Sequence, residues 1–527
     1  MTFDPIGITL PTTPHGTHFD LVVVGFGAAG SSTALTAARA GANVVIIEKQ
    51  PEDAHTPNIR MSMGFMFGVN DVEGAFTYMD RCSGGMIPAA VSRAWVEKAA
   101  TLKQWHDDMG LDLHLERVRG GEHPFEGTEA IDEFRQGLLA DGRPIAEALE
   151  GGVYFSGLRA KDGERPELRM GYDYFEALQK AISRYDNITV IYDSPAQHII
   201  RDVDGRVIGV QHGHTGEHST YGDRGVVLTT GGYEFDEELK LNYLKAYPMH
   251  FYGNPGNTGD GVRMAQEVGA DLWHMNQMIG RGVGHFTKED GSFVNVMLEV
   301  TPLDVMADPE PGGYVITDKH GKRFANEAPQ ASLGHAFYYH LLSYDSDTFD
   351  YPRIPSYWFF DQKRLDAGPL IPRRAGVHRV GIYDWSYDNR KELAAGWISQ
   401  GSTIEEAARN AGVLEPEVAA AAVADYNRGC ESGVDAQGRP VESLTPLEGD
   451  RFYCVPMYPG GSNTSGGPRR NEHAQILDPF GKPIAGLYGA GELGQVYGLL
   501  YPAGGSNLSE ANCFGRIAAE HALGLSA

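Results

Sequence analysis

The chain has 527 residues, well beyond the ~250 to 300 at which a single hydrophobic core stops growing, so several packed units around a cleft are expected. With 42% hydrophobic and 22% charged residues, the composition excludes disordered, collagen-like and fibrous classes. The net charge of -26 is dispersed along the chain, which disfavours nucleic acid and anionic lipid as partners.

The first 17 residues lack the basic start and apolar run of a secretory signal, and no run of about 18 apolar residues follows. A cytoplasmic protein without a membrane span is the expectation. Asp20 to Val24 then reads as a buried parallel strand leading into Gly25-Phe26-Gly27-Ala28-Ala29-Gly30 and a helix of small residues. In this strand–turn–helix unit Gly25 permits the turn, Gly27 lets the backbone approach a pyrophosphate, and Gly30 allows helix to pack on strand. The phosphates would rest on the helix N-terminus. A second strand, Asn43 to Ile47, ends in Glu48, 23 residues after Gly25, where a carboxylate can accept hydrogen bonds from ribose hydroxyls. This pattern identifies a dinucleotide, without separating NAD from FAD.

Further on, Thr229-Thr230-Gly231-Gly232 follows the apolar run GVVL, and Gly486 to Glu492 (GLYGAGE) lies near the C-terminus. The pair resembles the second and third cofactor contacts of two-dinucleotide-binding flavoproteins, in which the late GxGE segment returns to the first domain. That resemblance makes the cofactor FAD, with Gly491 and Glu492 at its ribityl chain. Ser506-Asn507-Leu508 then opens a helix whose N-terminus would face the flavin and stabilise negative charge in the reduced state. Cys82, Cys430, Cys454 and Cys513 are widely spaced, with no zinc, iron–sulfur or c-type haem pattern, so no metal is expected.

Together with Thr258-Gly-Asp260-Gly261 and Gly321-Lys-Arg323-Phe-Ala-Asn-Glu327, these segments resemble the soluble fumarate reductase and 3-ketosteroid dehydrogenase flavoproteins from about Asp20 to Leu523. The resemblance implies an α/β fold: a Rossmann-like FAD-binding domain from residues 1–275 and 450–527, with an inserted α+β catalytic or capping domain at 276–449. It also implies FAD contacts at Lys49, Asn58, Ser62, Gly64, Ala196 and Asp260. Members that bind FAD covalently do so through a His at the place held here by Asn58. His55 lies three residues too early, so FAD is expected to be noncovalent.

Fumarate-type members grip a dicarboxylate with two arginines and a histidine, because guanidinium forks suit carboxylates. The corresponding positions here are Glu310, Ser462 and Pro502. The late element reads instead Tyr501-Pro502-Ala503-Gly504-Gly505, which resembles the YPGAG of 3-ketosteroid 1-dehydrogenases. Carried over, the Tyr501 hydroxyl and the Gly505 N–H hold a substrate ketone, acidify its α C–H and allow β-hydride transfer to flavin N5. The second tyrosine of those enzymes aligns with Ala331; Tyr338 or Tyr339 could reach the cleft from a different turn, Tyr338 being the expected base, with Tyr314, Tyr497 and His335 as further candidates. The expected substrate is a cyclic, mainly apolar ketone, with an external electron acceptor or donor as second partner. The alternatives are a reductase of another activated alkene, with Arg323 or Arg353 as anchors, and an electron-transfer subunit without a substrate.

Overall fold

The computed structural model describes residues 17–111, 113, 115–136, 170–301, 312–331, 335, 337–373 and 375–525. The first strand, β1 (Thr17–Val24), carries the buried run Leu21 to Val24. Helix α1 (Ala28–Arg39) and β2 (Val44–Ile47) follow, the strands pairing in parallel with Leu21 opposite Val44. Parallel strands covered on both faces need apolar side chains on both, which is why β2 is buried throughout.

Strand His218–Leu228 lies on the other side of β1, and Pro483–Gly489 lies beside it, both in parallel register. An eight-stranded sheet results, in which the end of β1, the end of His218–Leu228 and the end of Pro483–Gly489 converge at one edge. The C-terminal helix Ser506–Ala522 covers the face shared with α1, and thirteen of its residues are buried.

A second sheet of seven strands is organised on the long strand Phe452–Thr464. This strand pairs antiparallel with Met278–Thr287 on one side and Ser356–Asp361 on the other. This strand begins just after residue 450, and beyond it Gly467–Pro468 pairs with Leu272–Trp273. A three-stranded sheet of Met66–Val69, Ile131–Gln136 and Leu115–Arg119 packs near the start of the C-terminal helix. Among the described residues four hydrophobic cores form; the one under α1 and the C-terminal helix and one on the second sheet both contribute side chains to a cavity between them.

Candidate active site

A cavity of about 850 Å3 opens at the convergent strand ends. Gly25 has φ 101° and a Cβ there would meet the Thr229 carbonyl at 2.6 Å, so the turn requires glycine. Gly30 is closed for another reason, since a Cβ would meet the Gly25 carbonyl oxygen at 2.1 Å. Gly27 differs from both: a Cβ would find nothing nearer than Pro57 at 3.9 Å. Helix α1 begins at this point without any side-chain cap, which leaves its first N–H groups directed at the space beside Gly27. The residues present thus fit a bound pyrophosphate.

Glu48 closes the same cavity, accepting from the Phe26 and Gln50 N–H groups, each at 2.8 Å. Burial alone would raise its pKa, but the His55 imidazole at 3.6 Å and these two N–H groups hold it below the usual carboxylate range. The carboxylate is thus preformed for ribose hydroxyls. Lys49 donates to Thr258 at 2.7 Å and to Asp260 at 2.6 Å, tying β2 to the Thr258-to-Gly261 turn. At the far end Glu492 accepts from the Asn58 amide at 2.6 Å, and burial pushes its carboxyl up to about 7.

Asn58, Glu492, Asn507 and Leu508 also line a second cavity of about 1080 Å3, so the two spaces meet at these residues. Its walls are mainly apolar: Ile59, Met61, Phe65, Ile279, Val296 and Met297 contribute. Tyr501 and Gly505 stand on it, on the segment that enters the C-terminal helix. Burial pushes the Tyr501 phenol well up, the carboxylates of Glu122 and Glu133 add to this, and the N–H groups of Asn507 and Gly505 oppose it. Tyr501 therefore remains a protonated donor, with the Gly505 N–H beside it. The Gly504 N–H is already committed to Glu133 at 3.1 Å. Beside Tyr501 on the cavity wall, the His335 ring lies 4.7 Å from that of Tyr501, and its Nδ1 is 3.3 Å from Glu122.

The comparisons with known proteins agree with this geometry. Residues 20–508 match the family described as FAD binding domain. The chain belongs to this family. Urocanate reductase of Eggerthella lenta is 26% identical over 98% of this chain and 77% of its own, and 4-oxocyclohexanecarboxylate 2-dehydrogenase of Sinomonas cyclohexanicum is 26% identical over 98% and 94%. The 3-oxosteroid 1-dehydrogenase of Mycolicibacterium smegmatis is 24% identical over 96% and 97%. In fold, the crystal structure of 3-ketosteroid delta1-dehydrogenase from Sterolibacterium denitrificans superposes with a TM-score of 0.77, at 20% identity over 97% of this chain and all of that one. This member of the FAD-binding family is an oxidoreductase of CH–CH bonds, of the fumarate reductase and 3-ketosteroid dehydrogenase type.

Of the positions expected to hold FAD, Gly25, Gly27, Ala28, Ala29, Glu48, Lys49, Ala196, Thr230, Gly231, Asp260 and Gly491 line the first cavity, and Ser62 and Gly64 line the second. Gly30 and Ser506 support the site from behind; the Ser506 hydroxyl donates to the Ala503 carbonyl at 2.7 Å. Tyr338 is not brought to either cavity. Its ring fills the space that Gly280 leaves, where a Cβ would meet it at 2.1 Å, and only 1% of the residue is exposed. Tyr314 lies under the Arg439 guanidinium in the second sheet, and Tyr497 donates to Gln495 and Asn507.

Arg323 pairs with Glu327 and Asp435, and Arg353 donates to the His340 carbonyl at 2.6 Å, so neither alternative anchor reaches the site. Ser462 lines the second cavity, the Pro502 carbonyl accepts from Tyr78, and Glu310 lies outside the described residues. The sequence reading passed over Asn254, Gly256 and Asn257, which line the first cavity, and Tyr252 and Arg281, which line the second. The Gly- and Asn-rich run Gly253-Asn-Pro-Gly-Asn257, placed directly before Thr258, was the available signal for the first three. No described helix is long and apolar enough to cross a membrane, and no described cluster of His, Cys, Asp or Glu could hold a metal ion.

Proposed function

We propose that this enzyme transfers the two hydrogens of a CH–CH bond adjacent to the ketone of a cyclic, mainly apolar substrate, with FAD held noncovalently. The observation that carries this reading is the convergence of the Tyr501 phenol and the Gly505 N–H on one wall of an apolar cavity that opens into the cofactor cavity. Two preorganised donors at one carbonyl oxygen stabilise the enolate that forms when the α-proton leaves. The bound flavin supplies the two-electron acceptor or donor for the β-hydrogen.

For the α-proton, His335 stands on the cavity wall, its ring against Tyr501 and its Nδ1 directed at Glu122. A carboxylate at Nδ1 favours the tautomer in which Nδ1 carries the hydrogen and Nε2 the basic lone pair. His335 therefore takes the place that the sequence left to Tyr338. Noncovalent attachment is supported by Asn58, which occupies the flavin end of the cavity, and by His55, which is buried against Phe26 and Glu48 away from it. Two relatives named for 4-oxocyclohexanecarboxylate and 3-oxosteroid fit a ketone on a saturated ring.

Anaerobic addition of a suitable ketone should bleach the flavin, and Tyr501→Phe should slow bleaching about 10² to 10³-fold while FAD stays bound. Normal turnover in Tyr501→Phe would remove the ketone grip. His335→Ala should slow the same step, with exchange of the α-proton against solvent deuterium lost in parallel; retained exchange would move the base elsewhere.

A further inference from the structure

The second cavity holds a cation that the ketone chemistry does not use. Arg281 lies in the strand Met278–Thr287, on the wall contributed by the second sheet, opposite Gly460 of the long central strand. Its side chain is 5% exposed, yet it donates no hydrogen bond among the described residues. Glu299, at 3.7 Å, is its charged neighbour there, too distant for a hydrogen bond. Two other buried arginines differ: Arg364 donates to four backbone carbonyls, and Arg439 donates to the carbonyls of Tyr314 and Ser443, and neither lines the cavity.

A buried guanidinium has five N–H donors in a planar fork, and leaving them without acceptors costs more than exposing them. The fork matches a carboxylate in bidentate fashion. Tyr252, also on the wall, faces Arg281, and burial pushes its phenol up to about 12, so it too is a donor near this point. The cavity thus has an apolar middle, hydrogen-bond donors for a carbonyl on the segment before the C-terminal helix, and a charged donor on the second sheet.

We infer that Arg281 is a carboxylate-binding subsite and that the substrate is a cyclic ketone or enone carrying a carboxylate. This deepens the reading given under Proposed function and rests on it for the identity of the cavity as the substrate chamber. The Arg281–Glu299 pair admits such a ligand because its separation leaves the fork open; it also places a carboxylate nearby that limits the gain.

The test uses the FAD-loaded enzyme and a ligand that cannot be turned over, so it does not depend on Tyr501. Benzoate and methyl benzoate are titrated separately while the oxidised flavin spectrum is followed. Benzoate should perturb the spectrum at roughly 10- to 100-fold lower concentration than the ester, the range expected of a charge-assisted hydrogen-bonding pair. Arg281→Met should abolish that preference, and Arg281→Lys should keep part of it. Equal binding of acid and ester by the unaltered enzyme overturns the inference, as does benzoate that leaves the spectrum unmoved, and neither result requires a variant to fold. A preference undiminished in Arg281→Met overturns it equally. Normal ketone turnover by Tyr501→Phe would instead overturn the ketone grip and leave the benzoate result standing.

Discussion

Glu492 shows how one residue's environment sets a measurable pH response. Burial pushes its carboxyl up to about 7 against the pull of the Asn58 and Asn257 amides, and buried Glu234, raised well above its ordinary value, lies close enough to couple to it. In the unfolded chain a glutamate titrates near ~4.3, so between that value and about 7 the folded apoprotein binds a proton that the unfolded chain has lost. The stability that this carboxyl contributes is therefore greatest at low pH and falls as pH rises through that window. Glu492→Gln should remove this slope, leaving the apoprotein about 1 kcal/mol or more stabler than the unaltered one at pH 8 and nearly equal to it at pH 4.5, as read by denaturant unfolding. The same variant should bind FAD less tightly, since the amide replaces an acceptor at the ribityl end of the site. Glu492 was legible in sequence through its GxGE motif, but its pKa was not, because burial depends on Asn58, Asn257 and Glu234, which lie far away in the chain.

At the scale of elements, the glycine turn between β1 and α1 carries two requirements that substitutions should separate. A side chain at Gly30 collides with the Gly25 backbone, whereas one at Gly27 enters open space beside an uncapped helix start. Gly30→Val should destabilise the protein by about 3 kcal/mol or more, in the range of severe overpacking, and lower the yield of folded chain. Gly27→Val should leave the far-ultraviolet spectrum and unfolding midpoint of the apoprotein nearly intact while reducing FAD affinity about 100-fold or more, measured by flavin fluorescence titration. Equal FAD affinity in Gly27→Val would mean that the pyrophosphate rests elsewhere. This unit was fully legible because a strand, a turn and a helix adjacent in sequence build it. The orientation of the turn at Tyr338–Leu341 was not legible, since Tyr338 is drawn into the hole at Gly280, on a different strand, and Tyr339 donates to the Leu499 carbonyl. For the same reason His335 stood in the sequence only as one unranked candidate among several and Arg281 was missed: their significance comes from Glu122 and from the cavity wall, not from neighbouring letters.

For the whole molecule, the two layers meet along the line where FAD is expected to lie. Asn58, Glu492, Asn507 and Leu508 face both cavities, and the central strand of the second sheet, Phe452–Thr464, runs on into Gly467–Pro468, which pairs with Leu272–Trp273 beside the first layer. Within this interface the Asn58 side chain donates to Glu492 and accepts from the Asn254 N–H at 2.5 Å, so one residue ties the early segment to the late one and to the Asn-rich loop. A ligand that binds only the folded state and spans both cavities should therefore couple the two layers. At a free FAD concentration 100 times its Kd the gain is about 2.7 kcal/mol, enough to raise Tm by a few degrees. Removing FAD by mild denaturant and gel filtration should lower Tm by that amount and spread the calorimetric transition as the layers lose their shared ligand. Released FAD should appear free in the filtrate. Asn58→Ala should cut the FAD-dependent rise in Tm at fixed FAD, because it removes both the amide that holds Glu492 and the acceptor that holds the Asn254 loop. Identical Tm values with and without FAD, or flavin that stays with the denatured chain, would show that the cofactor does not join the layers in this noncovalent way.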